Sequence, residues 1–330
     1  MESHKLVRVQ GIKKYFPATG DWFARLFDRR MIQAVDDVSF AIDRGTTLGL
    51  VGESGSGKTT VGRIITKLLH PTAGEIIYNG RDLARLHGEE LKRMRKKIQM
   101  IFQDPSTSLN QRKTVGQIIG EPLKVQLKGS REQVGKKLVM AMERGGIPRR
   151  FLNRFPHELS GGQRQRVGIA RALALEPDFI VCDEPVTALD VSIQAQILNL
   201  LQQLQDELDL TFLFIAHDLS VVKHVSTNVA VMYLGKVVEL SVCEDLFTRP
   251  RHPYTRALLA AVPRPDPRAR KRLILKGEIP SPIAPPSGCR FHPRCPEIIG
   301  AICREKEPEL HYFDDGSYVM CHLYSEGREG

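Results

Sequence analysis

The chain has 330 residues, 42% of them hydrophobic and 26% charged, a composition typical of a soluble globular protein with room for about two domains. No apolar run approaches the roughly 18 residues of a membrane-spanning helix, and the first residues lack a secretory signal pattern, so we expect a cytoplasmic protein. The formal net charge of +10 fits nucleic-acid binding, attraction to an anionic membrane surface, or excess Lys and Arg on solvated faces. Because only 6% of the residues are aromatic and none are interleaved with the basic runs, we do not expect nucleic-acid binding.

Apolar periodicity predicts a chain in which strands alternate with helices. Strands are predicted over residues 6–9, 34–42, 47–51, 74–80, 98–102, 179–182 and 211–216, with a hairpin over 228–240 that turns at Gly235-Lys236. Helices are predicted over residues 60–69, 88–97, 162–175 and 192–208. This alternation is typical of an α/β fold whose parallel sheet is covered on both faces.

Three stretches depart from that alternation. Residues 18–30 place large apolar side chains among charges, which predicts an amphipathic insertion, either a short helix or a mobile loop. Residues 104–158 are helical and loop-rich with no convincing strand, which predicts a helical subdomain. Twelve of the twenty prolines lie in residues 249–330, so we expect a separate, loop-rich appendage there.

Residues 52–59, Gly-Glu-Ser-Gly-Ser-Gly-Lys-Thr, match the phosphate-binding loop pattern G-x-x-x-x-G-K-[ST]. A predicted strand precedes this phosphate loop and a predicted helix follows it, a context that a chance glycine-rich turn would lack. Glycines let backbone N–H groups turn toward phosphate oxygens, and the helix N-terminus adds its positive dipole end. Lys58 is placed to reach the β- and γ-phosphates, and the Thr59 hydroxyl to ligate Mg²⁺.

Two adjacent carboxylates, Asp183 and Glu184, follow the apolar strand 179–182. Asp183 suits a contact to Mg²⁺, and Glu184 is placed to polarise an attacking water. The alternative is a strand-end turn with exposed acids, and the phosphate loop upstream favours the catalytic interpretation.

The stretch Leu159-Ser-Gly-Gly-Gln163 precedes the helix predicted over 162–175 and is typical of a second anion-binding helix N-terminus. A plain N-cap would explain Ser160 but not the two glycines and Gln163. Because one chain rarely needs two such sites for one nucleotide, we expect this stretch to serve a nucleotide bound to a partner chain.

The order of phosphate loop, Gln103, Leu-Ser-Gly-Gly-Gln, Asp-Glu, Ala188-Leu189-Asp190 and His217 resembles the nucleotide-binding subunits of ABC transporters, over residues 1 to about 245. The resemblance implies an α/β fold with a P-loop NTPase (RecA-like) ABC ATPase core over 1–103 and 159–248. An α-helical subdomain would span 104–158, and a small Pro- and Cys-rich C-terminal domain 249–330. It also implies an enzyme that hydrolyses ATP to ADP and phosphate within a sandwich dimer.

The resemblance gives each motif residue a role. Contacts to ATP are implied for Gly52, Ser54, Gly55, Gly57, Lys58, Thr59 and Thr60. Closure over the partner's γ-phosphate is implied for Ser160, Gly161, Gly162 and Gln163, with Asp190 linking the two sites. Mg²⁺ would be held by Thr59, Gln103 and Asp183, with Glu184 as general base, His217 on the γ-phosphate and Gln103 coupling to the membrane subunits. Phe16 is expected to stack on adenine, with Tyr15 as the alternative.

The tail narrows the family. Residues 249–259, 277–282 and 286–296 resemble the C-terminal region of oligopeptide/dipeptide importer ATPases, and the insertion at 18–30 is similar to the second of their two ATPase subunits. This implies import of di- and oligopeptides by a heterodimer with a paralogous ATPase. Two transmembrane permease subunits would complete the complex on the cytoplasmic side of the inner membrane, served indirectly by an extracytoplasmic substrate-binding protein.

Other functions within the wider family stay open. Related systems carry nickel or oligosaccharides instead of peptides. A soluble ABC ATPase acting on nucleic acid or ribosomes would usually have long coiled-coil insertions or two cassettes in one chain. An exporter's ATPase would normally be fused to membrane spans. The sequence shows no long coiled-coil insertion, no second ATPase cassette and no membrane span.

Four of the six cysteines lie in the tail, at Cys289, Cys295, Cys303 and Cys321. Thiolates in a Pro-rich segment with little apolar core suggest a metal that replaces a core. Zinc usually takes short C-x₂₋₄-C pairs, which are absent, so the spacing favours a structural [4Fe–4S] cluster. Zinc and free thiols remain the alternatives, and disulfides are not expected in a cytosolic chain.

Overall fold

The computed structural model describes residues 5–18, 30–126, 130–187, 189–261 and 277–325. The chain forms two compact units. The helical unit comprises residues 1–6, 42–47 and 79–215, and the phosphate-loop unit comprises residues 7–41, 48–78 and 216–330. Most of the insertion predicted at 18–30 lies outside the described residues.

The described strands are β1 Lys5–Pro17, β2 Met31–Asp43, β3 Thr47–Val51, β4 Ala73–Tyr78, β5 Arg81–Asp82, β6 Ile98–Ile101, β7 Phe179–Asp183, β8 Thr211–Ala216, β9 Asn228–Tyr233, β10 Lys236–Val242, β11 Leu310–Tyr312 and β12 Tyr318–Met320. The described α-helices are α1 Lys58–Ile65, α2 Gly88–Lys97, α3 Pro105–Ser108, α4 Val115–Gln126, α5 Arg131–Arg144, α6 Gly161–Leu173, α7 Val191–Leu208, α8 Leu219–Val225, α9 Cys243–Thr248, α10 Pro253–Ala261 and α11 Ile302–Glu305. None of these helices is long and apolar enough to cross a membrane.

In the phosphate-loop unit, β3 lies beside β9 as a parallel pair, with Leu48 opposite Asn228. The sheet continues through antiparallel pairs from β9 to β10, β12 and β11. The turn between β9 and β10 is formed by Leu234 and Gly235, both with positive φ (45° and 84°), one residue before the predicted turn. A second sheet places β1 between β2 and β4. All five residues of β3 are buried, which fixes the strand that leads into the phosphate loop.

In the helical unit, β6, β7 and β8 form parallel pairs, as the alternation of strands and helices predicts. Between Asp104 and Glu158 the described residues form helices and no strand, as predicted. Their apolar core packs residues of α4, α5 and α6 together, including Ile119, Met142 and Val167. The subdomain boundaries at 104, 159 and 249 stay predictions.

The prediction that the tail is a separate, loop-rich appendage is wrong in part, because the tail belongs to the phosphate-loop unit and contains regular elements. Residues 253–261 form α10, and β12 extends the sheet through Glu239 and Leu240 of β10. Tyr254 and Phe291 are almost fully buried, at 0% and 1% exposure. The tail therefore contributes buried side chains to the core of the phosphate-loop unit. Its high proline content had predicted little apolar core in this segment.

Candidate nucleotide site

The phosphate loop follows β3 and leads directly into α1. Gly57 has φ 105°, and a Cβ there would collide with the Ala34 carbonyl oxygen, so no other residue fits the turn. Helix α1 begins at Lys58, without an acidic residue in its first turn. That end of the helix therefore keeps the positive potential that suits a phosphate group.

Lys58 is held inside the loop by the loop's own oxygen atoms. Its Nζ donates to the carbonyl oxygens of Gly52 at 2.7 Å and Glu53 at 2.9 Å, and to the Ser56 hydroxyl at 3.3 Å. The side chain is buried, with 5% exposure. The predicted phosphate-binding lysine thus points into the concave side of the loop, while Ser54 and Gly55 are exposed at its tip.

Glu53, in the second position of the loop, is bound by residues of the tail. Its backbone N–H donates to the Tyr254 hydroxyl at 3.0 Å. Its two carboxylate oxygens accept from both terminal nitrogens of Arg294, at 2.7 and 3.0 Å. This two-pronged hydrogen bond raises the pKa of Arg294 further and keeps the guanidinium charged.

A cluster of buried rings supports these two contacts. The rings of Tyr233, Tyr254 and Phe291 lie 4.7 to 5.3 Å apart between centroids. Burial raises the pKa of Tyr254, so its hydroxyl stays neutral at physiological pH. His252 packs on Phe291 at 5.6 Å, and burial lowers the pKa of its imidazole to about 3.

A second arginine of the tail binds β2. Arg290 donates to the Asp36 carboxylate and to the Leu234 carbonyl oxygen, and Lys236 lies 3.2 Å from the same carboxylate. Burial alone would raise the pKa of Asp36. The hydrogen bond from Tyr15 and the charges of Lys236 and Arg290 outweigh burial and lower that pKa to about 2. Asp36 is therefore ionised and links the tail to β2.

The two aromatic candidates for adenine stacking differ in their contacts. The Tyr15 hydroxyl donates to Asp36 at 2.6 Å, and burial together with this bond raises its pKa to about 12. Phe16 is half-buried, and the Lys14 ammonium lies 5.1 Å from its ring centroid. Because Tyr15 is fixed by Asp36, the contacts favour Phe16 as the ring that can receive a base.

The predicted acids stand at the end of β7, in the helical unit. Asp183 is buried at 2% exposure, and Glu184 is half-buried. Glu184 has φ 45°, a conformation that costs energy in a residue other than glycine and is often found at functional sites. Its backbone N–H donates to the Ile215 carbonyl oxygen at 3.0 Å, which anchors the turn to β8.

Two side chains hold the Glu184 carboxylate. The Gln103 amide nitrogen donates to Oε2 at 2.9 Å, and the Thr187 hydroxyl donates to the same oxygen at 3.1 Å. The structure thus brings together Gln103 and Glu184, which lie 81 residues apart and which the sequence analysis predicted as site residues. This arrangement orients a carboxylate, as a general base requires.

The Leu159–Gln163 stretch forms a capping box at the start of α6. The Ser160 hydroxyl accepts from the Gln163 N–H at 3.4 Å, and the Gln163 side chain accepts from the Ser160 N–H at 3.0 Å. The expectation that a cap leaves Gln163 unexplained is therefore wrong. The glycines have a packing reason as well, because a Cβ at Gly162 would lie 2.5 Å from Ile193 Cγ2 and one at Gly161 would lie 3.3 Å from Leu189 Cδ2.

Capping still leaves this helix end open. Ser160 and Gly161 are exposed, and the cavity of about 430 Å³ beside them is lined by Gln163, Arg166 and Ile193, among others. Asp190 is also exposed and precedes α7 without a side-chain capping bond. His217 is exposed directly after β8. Ser160, Gly161, Asp190 and His217 therefore all lie at the surface of their units.

The four tail cysteines are free thiols. The pKa of Cys321 is raised to about 12, by burial first and also by the other three thiols. The Glu297 backbone N–H donates to Cys295 Sγ at 3.4 Å. Within the described residues, which include all four, no group of three or more His, Cys, Asp or Glu side chains is arranged to hold a metal ion.

Sequence reasoning missed three residues that bind the predicted site residues within each unit, Thr187 on Glu184 in the helical unit and Tyr254 and Arg294 beside the phosphate loop in the other. Thr187 follows Glu184 by three positions, and this short spacing is a signal that could have identified it. Tyr254 and Arg294 lie in the tail stretches that carried the family resemblance, but no local pattern relates them to the phosphate loop, 201 and 241 residues away.

Comparison with known proteins agrees with this geometry. Residues 35–187 match the family described as ABC transporter, and residues 238–303 match the family described as oligopeptide/dipeptide transporter, C-terminal region. The chain is 50% identical to the oligopeptide transport ATP-binding protein AppF of Bacillus subtilis, over 97% of this chain and 98% of that protein. It is 48% identical to the dipeptide transport ATP-binding protein DppF of Haemophilus influenzae, over 97% of both.

Solved structures show the same fold. The ATP-binding cassette MJ0796, solved as a post-hydrolysis dimer bound to ADP and Pi, superposes with a TM-score of 0.63 at 30% identity and covers 72% of this chain and 98% of that one. The cbiO1 protein of Clostridium perfringens, part of the ABC transporter complex cbiONQ, gives 0.64 at 26% identity, over 74% of this chain and 92% of that one. The chain therefore belongs to the ATP-binding subunits of ABC transporters, within the oligopeptide/dipeptide importer family.

Proposed function

We propose that this ABC ATPase hydrolyses ATP to drive the import of di- and oligopeptides through a membrane transporter. The observation that carries the proposal is the match of residues 238–303 to the C-terminal region of oligopeptide/dipeptide transporters, joined in one chain to the ATPase motifs. Relatives that align with this chain over 97% of its length are named as oligopeptide and dipeptide transport proteins, which supports the same cargo here.

ATP binding is assigned to the phosphate loop and the residues around it. Lys58 would exchange its bonds to loop carbonyls for bonds to phosphate oxygens, and α1 would add the positive end of its dipole. The remaining loop contacts are Gly52, Ser54, Gly55, Gly57, Thr59 and Thr60. Phe16 would stack on the adenine.

Mg²⁺ fits the oxygen donors that the motifs provide. The Thr59 hydroxyl, the Gln103 amide oxygen and the Asp183 carboxylate are the hard ligands that Mg²⁺ prefers. Bound there with ATP, the ion would neutralise charge on the phosphates. Asp183 is only 2% exposed, which supports an ion-binding role over that of a solvated strand-end acid.

Glu184 would act as the general base that takes a proton from the attacking water. Gln103 and Thr187 orient its carboxylate through hydrogen bonds of 2.9 and 3.1 Å. Because Gln103 also lies at the start of the helical stretch 104–158, it would connect the reaction with the membrane subunits. His217 would contact the γ-phosphate.

The exposed signature residues would complete the ATP site of a second ATPase subunit. Ser160, Gly161, Gly162 and Gln163 would close over the partner's γ-phosphate, and Asp190 would link the two sites. The dimeric structure of a similar cassette supports such a sandwich. The partner would be a paralogous ATPase, and two permease subunits and an extracytoplasmic binding protein would complete the importer at the cytoplasmic face of the inner membrane.

The substitution Glu184→Gln tests the catalytic assignment. The variant should bind ATP as tightly as the wild type and lose about 100-fold or more in turnover, because the amide cannot accept a proton. Glu132→Gln is the matched control, since that residue is exposed and forms an ion pair with Lys136 at 2.8 Å on the surface of α5. An ATPase rate near that of the wild type in the complex carrying Glu184→Gln would refute the general-base role.

Cargo and partners need a separate experiment. The tagged chain should co-purify with two multi-span proteins and a second ATPase, and its deletion should abolish uptake of a radiolabelled dipeptide. Normal peptide uptake with loss of nickel or oligosaccharide uptake would assign the other cargo. Co-purification with nucleic acid or ribosomes would overturn the transport function.

The four tail cysteines would hold a [4Fe–4S] cluster, with zinc as the alternative. The Glu297 N–H donates to Cys295 Sγ at 3.4 Å, and a hydrogen bond of this kind, which accompanies metal-bound thiolates, supports the proposal. Loading would have to draw the four sulfurs into a ligand arrangement and displace the thiol protons that burial favours. A cluster would act as a structural cross-link of the tail. Protein purified anaerobically should carry about four irons per chain and absorb near about 400 nm. A colourless protein with one zinc per chain would favour zinc.

A further inference from the structure

Every polar group of Glu53 is bound by a neighbour. The N–H donates to the Tyr254 hydroxyl, the carbonyl oxygen accepts from Lys58 Nζ at 2.9 Å, and the carboxylate accepts from Arg294. Arg294 belongs to the tail and Glu53 to the phosphate loop, both within the phosphate-loop unit. We propose that Arg294 is a positioning residue for ATP binding, which neutralises the Glu53 carboxylate and so keeps the loop attractive to a triphosphate.

The contact has the geometry of a strong ion pair. Both terminal nitrogens of Arg294 donate, one to each carboxylate oxygen, at 2.7 and 3.0 Å. The Arg294 side chain is 5% exposed and that of Glu53 is 25% exposed. Low exposure limits screening by water and salt, so the charges compensate each other more fully than at an open surface. One terminal nitrogen of Arg294 also donates a long hydrogen bond, of 3.5 Å, to the Tyr233 hydroxyl oxygen.

A carboxylate in this position needs compensation. The phosphate loop binds a highly charged anion through N–H groups and Lys58, and an unpaired carboxylate beside them would repel the phosphates. It would also compete for Lys58, whose ammonium already lies 2.9 Å from the Glu53 carbonyl oxygen. Arg294 binds both oxygens of the Glu53 carboxylate. It therefore reduces the repulsion of the phosphates by Glu53 and the competition of Glu53 for Lys58.

This inference rests on the proposed binding of ATP and leads to a specific rescue. Arg294→Gln leaves the Glu53 charge unpaired and should raise the Kd for ATP about fivefold or more. Glu53→Gln removes the charge and should change the Kd less than about twofold. The double variant should bind like Glu53→Gln alone, since there is no longer a charge to neutralise. A residue that acts only by anchoring the tail cannot be rescued in this way.

The experiment is a double-mutant cycle of four full-length proteins: the wild type, Arg294→Gln, Glu53→Gln and the double variant. The Kd of a fluorescent ATP analogue is measured for each of them. Arg256→Gln is the matched control, because Arg256 lies in the same tail and binds both oxygens of Glu297 at 2.8 and 2.9 Å. The control should bind like the wild type. The loss in Arg294→Gln should shrink in about 1 M salt, where charges are screened over about 3 Å. Arg294→Lys should keep most of the affinity because it retains the charge.

The outcomes separate the possibilities. Equal weakening of Arg294→Gln and the double variant would overturn the proposal, as would unchanged binding in Arg294→Gln. If Arg294→Gln fails to fold, rescue of folding without rescue of binding in the double variant would also overturn it. Absence of nucleotide binding by the wild-type chain would refute the proposed function itself and this inference with it.

Discussion

His252 makes the stability of the phosphate-loop unit dependent on pH. Its imidazole is 1% exposed, and Nδ1 accepts a hydrogen bond from the Tyr254 N–H at 3.0 Å. A second proton would have to sit on Nδ1 and break that bond. Burial first, and the nearby positive charge of Arg256 in addition, lower the pKa from 6.5 to about 3. The Glu239 carboxylate, which accepts from the His252 backbone N–H at 2.9 Å, is itself buried, and burial raises its pKa.

The sign and size of the effect follow from this shift. Between the two pKa values the unfolded chain binds a proton on His252 that the folded chain does not bind, so stability falls as the pH falls. The loss is negligible above pH 7 and grows by about 1.4 kcal/mol for each pH unit below the unfolded pKa. At pH 5 it amounts to about 2 kcal/mol, since the folded pKa lies well below that pH.

His252→Asn removes the titration and keeps the hydrogen bond. The asparagine side-chain oxygen can accept from the N–H two residues later, as at a helix N-cap. In urea unfolding, the variant should lose about 2 kcal/mol less stability between pH 7 and pH 5 than the wild type does. His70→Asn serves as the control, because His70 is exposed in the same unit and should leave the pH dependence unchanged.

An identical pH dependence in His252→Asn and the wild type would refute the reasoning. NMR gives an independent measure: the His252 ring signals, identified by their loss in the variant, should not shift between pH 8 and pH 5. A titration of that ring within this range would show that the imidazole becomes charged inside the fold.

Two further predictions concern the helical unit. Thr187→Val removes a donor to the Glu184 carboxylate, so kcat should fall about tenfold with the Kd for ATP unchanged. An unaltered kcat in steady-state assays would show that the Thr187 hydroxyl is not needed to orient the carboxylate. Gly162→Ala places a Cβ 2.5 Å from Ile193 Cγ2 and should cost about 1–3 kcal/mol of stability, whereas Gly161→Ala at 3.3 Å from Leu189 should cost less. Equal melting temperatures for the two alanine variants would contradict this packing argument.

Periodicity and short motifs predicted most of the framework. Strands such as Thr211–Ala216 and helices such as Gly88–Lys97 are found at the predicted residues. These elements are predictable because the spacing of apolar residues along a short stretch reflects which side chains are buried. The end residues of longer elements were less predictable, as in β1, predicted over 6–9 and observed over Lys5–Pro17. Pairing with β4 continues past the predicted end of the strand, through Gln10 and Lys13.

The signature shows how one sequence pattern can serve two purposes. Ser160 and Gln163 form a capping box that the spacing alone could have predicted. The close approach of Gly162 to Ile193 depends on how α6 and α7 pack, which no local pattern contains. Motif residues can therefore be required by the fold as well as by the ligand.

The phosphate loop, the paired acids, the signature and the family can be recognised from residue types alone, because each motif has a short, fixed spacing. Their neighbours became known from the folded chain: Gln103 and Thr187 bind Glu184, and Tyr254 and Arg294 bind Glu53. Most of these partners are separated by tens to hundreds of residues, and their meeting depends on packing of the whole unit. The phosphate loop can therefore be recognised from eight residues, while the charge balance that keeps it ready for ATP depends on an arginine 241 residues away.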